Sequence, residues 1–282
     1  MDNYSIDISI CCITYNHVSF IERCLDGFIA QQGDLSIEIL IHDDASTDGT
    51  QEIIKNYQKR YPNLIKPIFQ KENQWSKGVH AINSQYNFSR AKGKYIALCE
   101  GDDFWTNPHK LNKQVEVLNK YKNCILVSGG YLKDDVPQLL GSSFFFKLKD
   151  FPYVWKTKTL TLVFRNGLLD YRQLQQYNNS RDIHLVYHLL RLGDAFYINE
   201  VLGQYNTHNA GIFSTLSQQE IDQLHYHIYK ELYSINKEPI SKKCYFNSLV
   251  DLGRTNKAYT VLALFHVSSF VDFKIAIINL FK

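Results

Sequence analysis

"IEILIHDDASTDGT", residues Ile37 to Thr50, contains the local decision on which the fold turns. Ile37 to Asp44 is a short apolar run ending in two carboxylates, the pattern of a buried strand. Ser46, Thr47 and Asp48 then offer side-chain oxygens suited to capping a helix, for which Ile53, Ile54 and Tyr57 supply an apolar face. A strand that passes through an acidic turn into a helix is one half of a parallel crossover unit.

The same alternation extends to both sides. "IDISICCIT" (Ile6 to Thr14) is nearly all apolar, as a strand covered on both faces must be. Ile21, Cys24, Leu25, Phe28 and Ile29 recur at helical spacing, in a helix ending near Gly33. "LIKPIFQ" reads as a third strand, Val79 to Ala91 as a helix, and "YIALC" (Tyr95 to Cys99) as a fourth strand. Leu111, Val115 and Leu118 mark a further helix before the strand "CILVS" (Cys124 to Ser128). The expected fold class is α/β: a doubly wound, mostly parallel sheet with helices on both faces and a helical C-terminal extension. Ligands bind such sheets outside the carboxyl ends of the strands. Periodicity is lost from Tyr131 to Lys158; then come an apolar "TLTLVFRN" (Thr159 to Asn166), a helical "RDIHLVYHLLRLG" (Arg181 to Gly193) and a helix-rich tail. The domains expected are a donor-binding part at 1–130, an acceptor-binding and catalytic part at 131–215, and a helical extension at 216–282.

Composition excludes several classes. The 282 residues include 31 basic and 28 acidic ones, a formal net charge of +3, far from the clustered positive charge of a nucleic-acid binder. The six cysteines form no C-x-x-C pair, and Cys11 and Cys12 point to opposite faces of a strand, so neither a zinc knuckle nor a disulfide framework is expected. No basic region precedes the first apolar run, so it does not read as a secretory signal, and the expected location is the cytoplasm. The apolar segment from Lys257 to Lys282 is interrupted by Lys257, His266, Asp272 and Lys274, too often for a membrane span. It suits a helix packed on the body of the protein or one lying on a membrane surface.

Asp102 and Asp103 adjoin just past the fourth strand, and like charges that close resist joint ionisation unless a cation relieves them. Hard cations bind through one or two carboxylates together with substrate phosphates, so a minimal acidic site points to a phosphorylated ligand. The alternative is a solvated acidic turn capping the helix near Pro108. Asp44, at the end of the second strand beside the small residues Ala45 and Gly49, suits a carboxylate accepting from a nucleobase N–H or a ribose hydroxyl; a capped helix and nothing more is the competing account. Glu100 reads as a bystander and Trp105 as a wall for sugar or acceptor. His184 and His188 stand at i and i+4, but Leu185 occupies the place where a zinc protease needs glutamate, and both read as structural.

"ITYNHVSFIERCLDGFIAQ", "EILIHDDASTDGT" and "AKGKYIALCEGDDFW", in that order, resemble the family 2 glycosyltransferases of GT-A fold, densely over about the first 120 residues and more thinly to Ser214. The resemblance implies that Tyr15 stacks near the base with Thr14 beside it, that Asp44 accepts from the base, and that Asn73 and Gly78 lie on a loop past the nucleotide. It implies Asp102 at the ribose or the metal shell and Asp103 as direct ligand of a Mn2+ or Mg2+ that holds the donor diphosphate. Asp182, opening a helix, matches the family's catalytic base, and "YNTHNAGIFS" matches a segment whose histidine, here His208, can reach the metal. Departures are Gly101 in place of the first acid of a strict D-x-D, Asn206 in place of an arginine-like residue, and Ala210 in place of a glycine.

The activity implied is inverting, metal-dependent transfer of a sugar from a nucleotide-diphosphate donor, UDP favoured, to a hydroxyl of a saccharide or lipid-linked saccharide, in surface polysaccharide synthesis at the inner face of the cytoplasmic membrane. Two alternatives come from other classes. A non-catalytic nucleotide-sugar binding module would keep the fold without the base, against which Asp182 argues. A haloacid dehalogenase-type phosphatase needs two aspartates two residues apart directly before Gly-Thr, a spacing that "DDASTDGT" lacks.

Overall fold

The computed structural model describes residues 4–151, 158–208, 211 and 215–281. The chain forms two compact units, Met1–Leu148 with Lys156–Asn206, and Lys149–Trp155 with Thr207–Lys282.

The first unit is built on one mixed sheet. In chain order it comprises β1 (Ile6–Thr14), α1 (Ile21–Ile29), β2 (Ile37–Asp43), α2 (Thr50–Arg60), β3 (Ile65–Phe69), β4 (Gly93–Glu100), β5 (Phe104–Trp105), α3 (Lys110–Lys120), β6 (Cys124–Lys133), β7 (Val136–Gln138), β8 (Phe144–Phe146), β9 (Val163–Arg165), α4 (Asp182–Leu190) and β10 (Asp194–Tyr205). The strand order is β3-β2-β1-β4-β9-β6-β10-β5, with β7 on β6 and β8 on β10. β3, β2, β1 and β4 run parallel, as do β6 and β10, while β9 joins the two groups antiparallel to both β4 and β6.

β1 is mostly apolar because it is paired on both edges and covered on both faces: Ile8, Ile10, Cys11 and Cys12 are all 0% exposed, and buried Ser9 donates to Glu38 Oε1 at 2.7 Å. From β1 the chain winds outward to β2 and β3, and then returns to place β4 on the other side of β1. That reversal is the topological switch point, and the exits of β1, β2 and β4 all open at the same end of the sheet. α1, which follows β1, buries Ile21, Cys24, Leu25 and Phe28, with the Phe28 ring 4.7 Å from that of Trp105. Trp105 is therefore core rather than the expected wall for a sugar: it is 4% exposed, its indole N–H donates to the Leu160 carbonyl at 2.8 Å, and Lys110 covers its ring at 4.1 Å.

Two further expectations change. The helix expected from Val79 to Ala91 is a wide π-type turn at Asn83–Asn87 followed by a 3-10 turn at Phe88–Arg90. Its side chains are recruited by the sheet: Asn87 donates to the Cys12 carbonyl at 3.0 Å, and the Arg90 guanidinium to Lys66 O at 2.8 Å and Ile41 O at 3.1 Å. The segment after α4 is the long strand β10, whose alternation register shifts interrupt.

The second unit contains α5 (Gln218–Asn236), α6 (Pro239–Gly253), α7 (Lys257–Leu264) and α8 (Phe270–Phe281). Ser217 and Glu220 cap α5 reciprocally, and Tyr245, Phe246, Leu249, Val250, Ala263 and Ala276 form its small core. Among the described residues no helix is long and apolar enough to cross a membrane.

Candidate active site

The turn after β2 serves as a staple. Asn16 N donates to Ser46 Oγ at 2.8 Å, Thr47 N to Asn16 Oδ1 at 2.9 Å, His17 N to Thr50 Oγ1 at 2.9 Å and Val18 N to Asp48 Oδ2 at 2.9 Å. The polar residues expected to cap α2 thus mostly hold the exit loop of β1 in place. The residue preceding α2 is Gly49, at φ 106°, while Asp48 Oδ1 accepts from Thr50 N at 3.0 Å. Tyr15, on the stapled loop, is 45% exposed. Thr14 lies beneath it, 3% exposed, with its hydroxyl 3.2 Å from His17 Nδ1.

Asp44 is 6% exposed and accepts Gln74 N at 2.7 Å and Trp75 N at 3.0 Å. Asn73 completes this clamp by donating to Asp44 O at 3.1 Å and accepting from Ser76 N at 2.7 Å. Gly78 ends the loop at φ 87°, a left-handed conformation that suits glycine. In this geometry Asp44 and Asn73 shape the loop. Each Asp44 oxygen keeps acceptor capacity beyond the backbone bond it already makes.

β4 delivers the acids. Glu100, Asp102 and Asp103 each offer a carboxylate oxygen within 4.8 Å of the others, so Glu100 is a member of the cluster and not the bystander expected from sequence. Gly101 between them has a packing reason. A Cβ there would lie 2.6 Å from Thr14 Oγ1 and 3.1 Å from His17 Nδ1. Asp103 is 2% exposed, and its Oδ1 accepts from Asn206 N at 2.9 Å, while the Asn206 side-chain amide donates to the Asp102 carbonyl. Asn206 therefore latches the end of β10 onto the acidic turn, a role that its place in a supposed arginine position concealed. His17 Nε2 stands 3.8 Å from Asp102 Oδ2.

The electrostatics follow from this crowding. Burial first, then the Asp102 and Asp182 carboxylates, push the Glu100 carboxyl up to about 8, against the pull of Lys158 and Arg181. Burial, Asp102 and Glu100 likewise hold Asp103 well above the usual carboxylate range, opposed by the Asn206 N–H and Lys158. Lys158, whose ammonium lies 4.1 Å over the Tyr205 ring, and Arg181 are thus the cations of the site, and single basic residues without a motif gave no sequence signal for them. Asp182 opens α4 as expected, with Oδ2 accepting from Thr159 Oγ1 at 3.0 Å and Oδ1 from Ile183 N at 2.9 Å. An all-oxygen set of three crowded carboxylates fits a hard divalent cation, which would relieve their mutual repulsion.

His208 belongs to the second unit, where its carbonyl accepts from Gly211 N at 3.0 Å; Ala210 lies outside the described residues. His184 and His188 are structural, as read: both are buried, and burial first, then His188 and Arg181, lower the His184 imidazole to about 3.

The family model "Glycosyl transferase family 2" matches residues 9–184, more than half of the chain, from β1 through the first turn of α4. The chain belongs to glycosyltransferase family 2. Among similar proteins, the putative teichuronic acid biosynthesis glycosyltransferase TuaG of Bacillus subtilis is 26% identical over 244 residues, covering 80% of this chain and 92% of its own. The chain spans about a third (32%) of the length of mycobacterial relatives with which it shares 49% identity over 114 residues. Two solved structures share the GT-A fold of this family 2 chain. The S. aureus TarS 1–349 complex with UDP-GlcNAc covers 98% of this chain and 89% of its own at TM-score 0.61 and 14% identity. The mannosyltransferase PcManGT from Pyrobaculum calidifontis, in complex with GDP-Man and Mn2+, covers 98% and 80% at TM-score 0.62 and 17% identity. In this family 2 chain the matched region contains Asp44, Glu100, Asp102, Asp103 and Asp182.

Proposed function

We propose that this glycosyltransferase moves a hexose from a nucleoside-diphosphate sugar, UDP-linked by preference, to a hydroxyl of a saccharide or lipid-linked saccharide, with inversion and with Mn2+ or Mg2+. The observation that carries the proposal is the gathering of Glu100, Asp102 and Asp103 at the sheet's switch point, within electrostatic reach of Asp182. Residues 1–130 bind the donor, 131–215 supply the base and acceptor surface, and 216–282 form an extension. The setting is surface polysaccharide synthesis at the cytoplasmic face of a membrane, and the likeness to TuaG, named for teichuronic acid biosynthesis, supports the polysaccharide part of it.

Asp103 and Asp102 hold the cation, Glu100 shares its charge, and His208 is carried as an additional ligand on the resemblance. The cation, when bound, neutralises charge on the departing diphosphate. Tyr15 stacks on the base, Thr14 supports it, and Asp44 accepts from the base while its clamp with Asn73 holds the loop through Gly78 along the nucleotide. Asp182 takes the acceptor's proton as the hydroxyl oxygen attacks, because an alcohol is a weak nucleophile without a base in the transition state. Thr159 and the Ile183 N–H orient that carboxylate. Lys158 and Arg181 supply fixed positive charge where the leaving group gains negative charge.

Melting temperature measured across a panel of nucleotide sugars, with and without Mn2+, tests the binding half of the proposal, since a ligand that binds only the native state raises it. A rise that needs both UDP-sugar and metal, and that disappears in Asp103→Asn, is the expected result. No rise with any nucleotide sugar contradicts it.

A further inference from the structure

We infer that the outer face of α7 and α8 is a docking surface for an anionic lipid bilayer. The inference extends the membrane setting proposed above, but its argument rests on these two helices alone.

The polarity of this face is inverted for a helix pair in water. Of the seventeen large apolar side chains exposed in the described residues, eight lie between Val261 and Ile278. Phe265 is 77% exposed, Phe270 70% and Val271 63%, at the turn where α7 gives way to α8; Ile275 and Ile278 continue the stripe from Val271 at i+4 and i+7. Isolated exposed apolar residues are ordinary, but a contiguous patch of this kind marks an interaction surface. Polar groups meanwhile point inward. Thr260 is 0% exposed and Asp272 2%.

Charge selects the partner. From Asn256 onward the sequence holds Lys257, Lys274 and Lys282 against a single acid, Asp272, while Arg254 just before is paired with Asp251 at 3.1 Å. That carboxylate is buried: it pairs with Lys243 and accepts from Ser268 N at 3.2 Å, while the Asp272 backbone N–H donates to Ser269 Oγ at 3.1 Å. Among the described residues the outer face therefore presents no carboxylate, while exposed Lys257, which donates to the Asn279 carbonyl at 2.7 Å, and exposed Lys274 flank the apolar stripe, the Lys274 ammonium lying 4.7 Å from the centre of the Phe270 ring. Apolar side chains flanked by lysine, with the acid withdrawn, match the interfacial layer of a bilayer carrying anionic lipid. An apolar protein partner gives no reason to withdraw the one acid and keep the lysines outside.

The 282-residue chain, sedimented with vesicles of phosphatidylcholine or of phosphatidylcholine and phosphatidylglycerol in equal parts, tests this directly. Pelleting with the mixed vesicles, weakened by salt, is expected, with at least about a tenfold loss of affinity in Phe265→Ser/Phe270→Ser/Ile275→Ser and a smaller loss in Lys274→Glu. Lys274→Glu, a single exposed substitution, keeps the test valid if the triple variant fails to fold. Absence of pelleting, or equal pelleting of wild type and both variants, overturns the inference. So does a vesicle-independent dimer that the substitutions dissociate, which would assign the face to a second copy. Nucleotide-sugar binding followed in the same variants stays unchanged, so failure here leaves the transferase reading untouched, and failure there leaves this one.

Discussion

Asp103 and Glu100 are held by the fold against their own charge. Each has a pKa raised above its ordinary value, so ionisation costs stability as pH rises from the usual carboxylate range, through about 8 for Glu100. Glu100→Gln therefore raises the melting temperature of the metal-free protein at pH 8, by about 5 °C, and leaves it nearly unchanged at pH 4. The same variant gains less from added Mn2+ than wild type, and an equal gain would remove Glu100 from the cation's surroundings. In Asp182→Asn turnover should fall by about 10²-fold or more, the range of a lost general base, with donor affinity within about twofold. A binding defect as large as the rate defect would assign Asp182 to the donor instead. Lys110 gives a pH signature of its own. It is 0% exposed, beside Gln114, and burial lowers its ammonium to about 7. Its folded pKa lies below its unfolded one, so the unfolded chain binds more protons between about pH 7 and 10, and stability rises with pH there. The stability difference between wild type and Lys110→Met should shift by about 3 to 4 kcal/mol in favour of wild type from pH 6 to pH 10, read from urea melts.

Among the elements, the exit loops of β1 and β2 and the loop through Gln74 and Trp75 behave as one assembly. Asp44→Ala removes the acceptor for two part-buried backbone donors, and a loss of about 1 to 3 kcal/mol is expected, with faster hydrogen exchange at the Gln74 and Trp75 amides. Unchanged exchange at both amides would show that the loop stands without its clamp. The elements also mark where sequence was informative. β1, β2, β4 and their helices were legible because burial on both faces leaves little but apolar residues in a strand, and because Asp44, Asp102 and Asp103 stand where such strands end. Trp105 was misread because two residues of extended chain after the acidic turn carry no periodicity to say which way the ring points. Glu100 was set aside because linear spacing does not show that Gly101, forced small by Thr14, folds the chain back so that three carboxylates converge. Asn206, Lys158 and Arg181 come to the site through long-range pairing of β10 and through turns that local pattern does not encode.

On the scale of the whole molecule, the site sits where the winding of the sheet reverses, between β1 and β4, and the family 2 match runs from the start of that core to the residue two beyond Asp182. The second unit adds, on α7 and α8, a face whose apolar side chains are exposed, and substitutions there should weaken vesicle binding while leaving donor binding unchanged. The most direct measurement of the central claim is release of nucleoside diphosphate from a panel of UDP- and GDP-sugars by purified protein, with Mn2+ or with chelator. Release from at least one donor that requires metal and is lost in both Asp182→Asn and Asp103→Asn is the expected result. Release that is indifferent to chelator, or that survives either substitution at the wild-type rate, would contradict it.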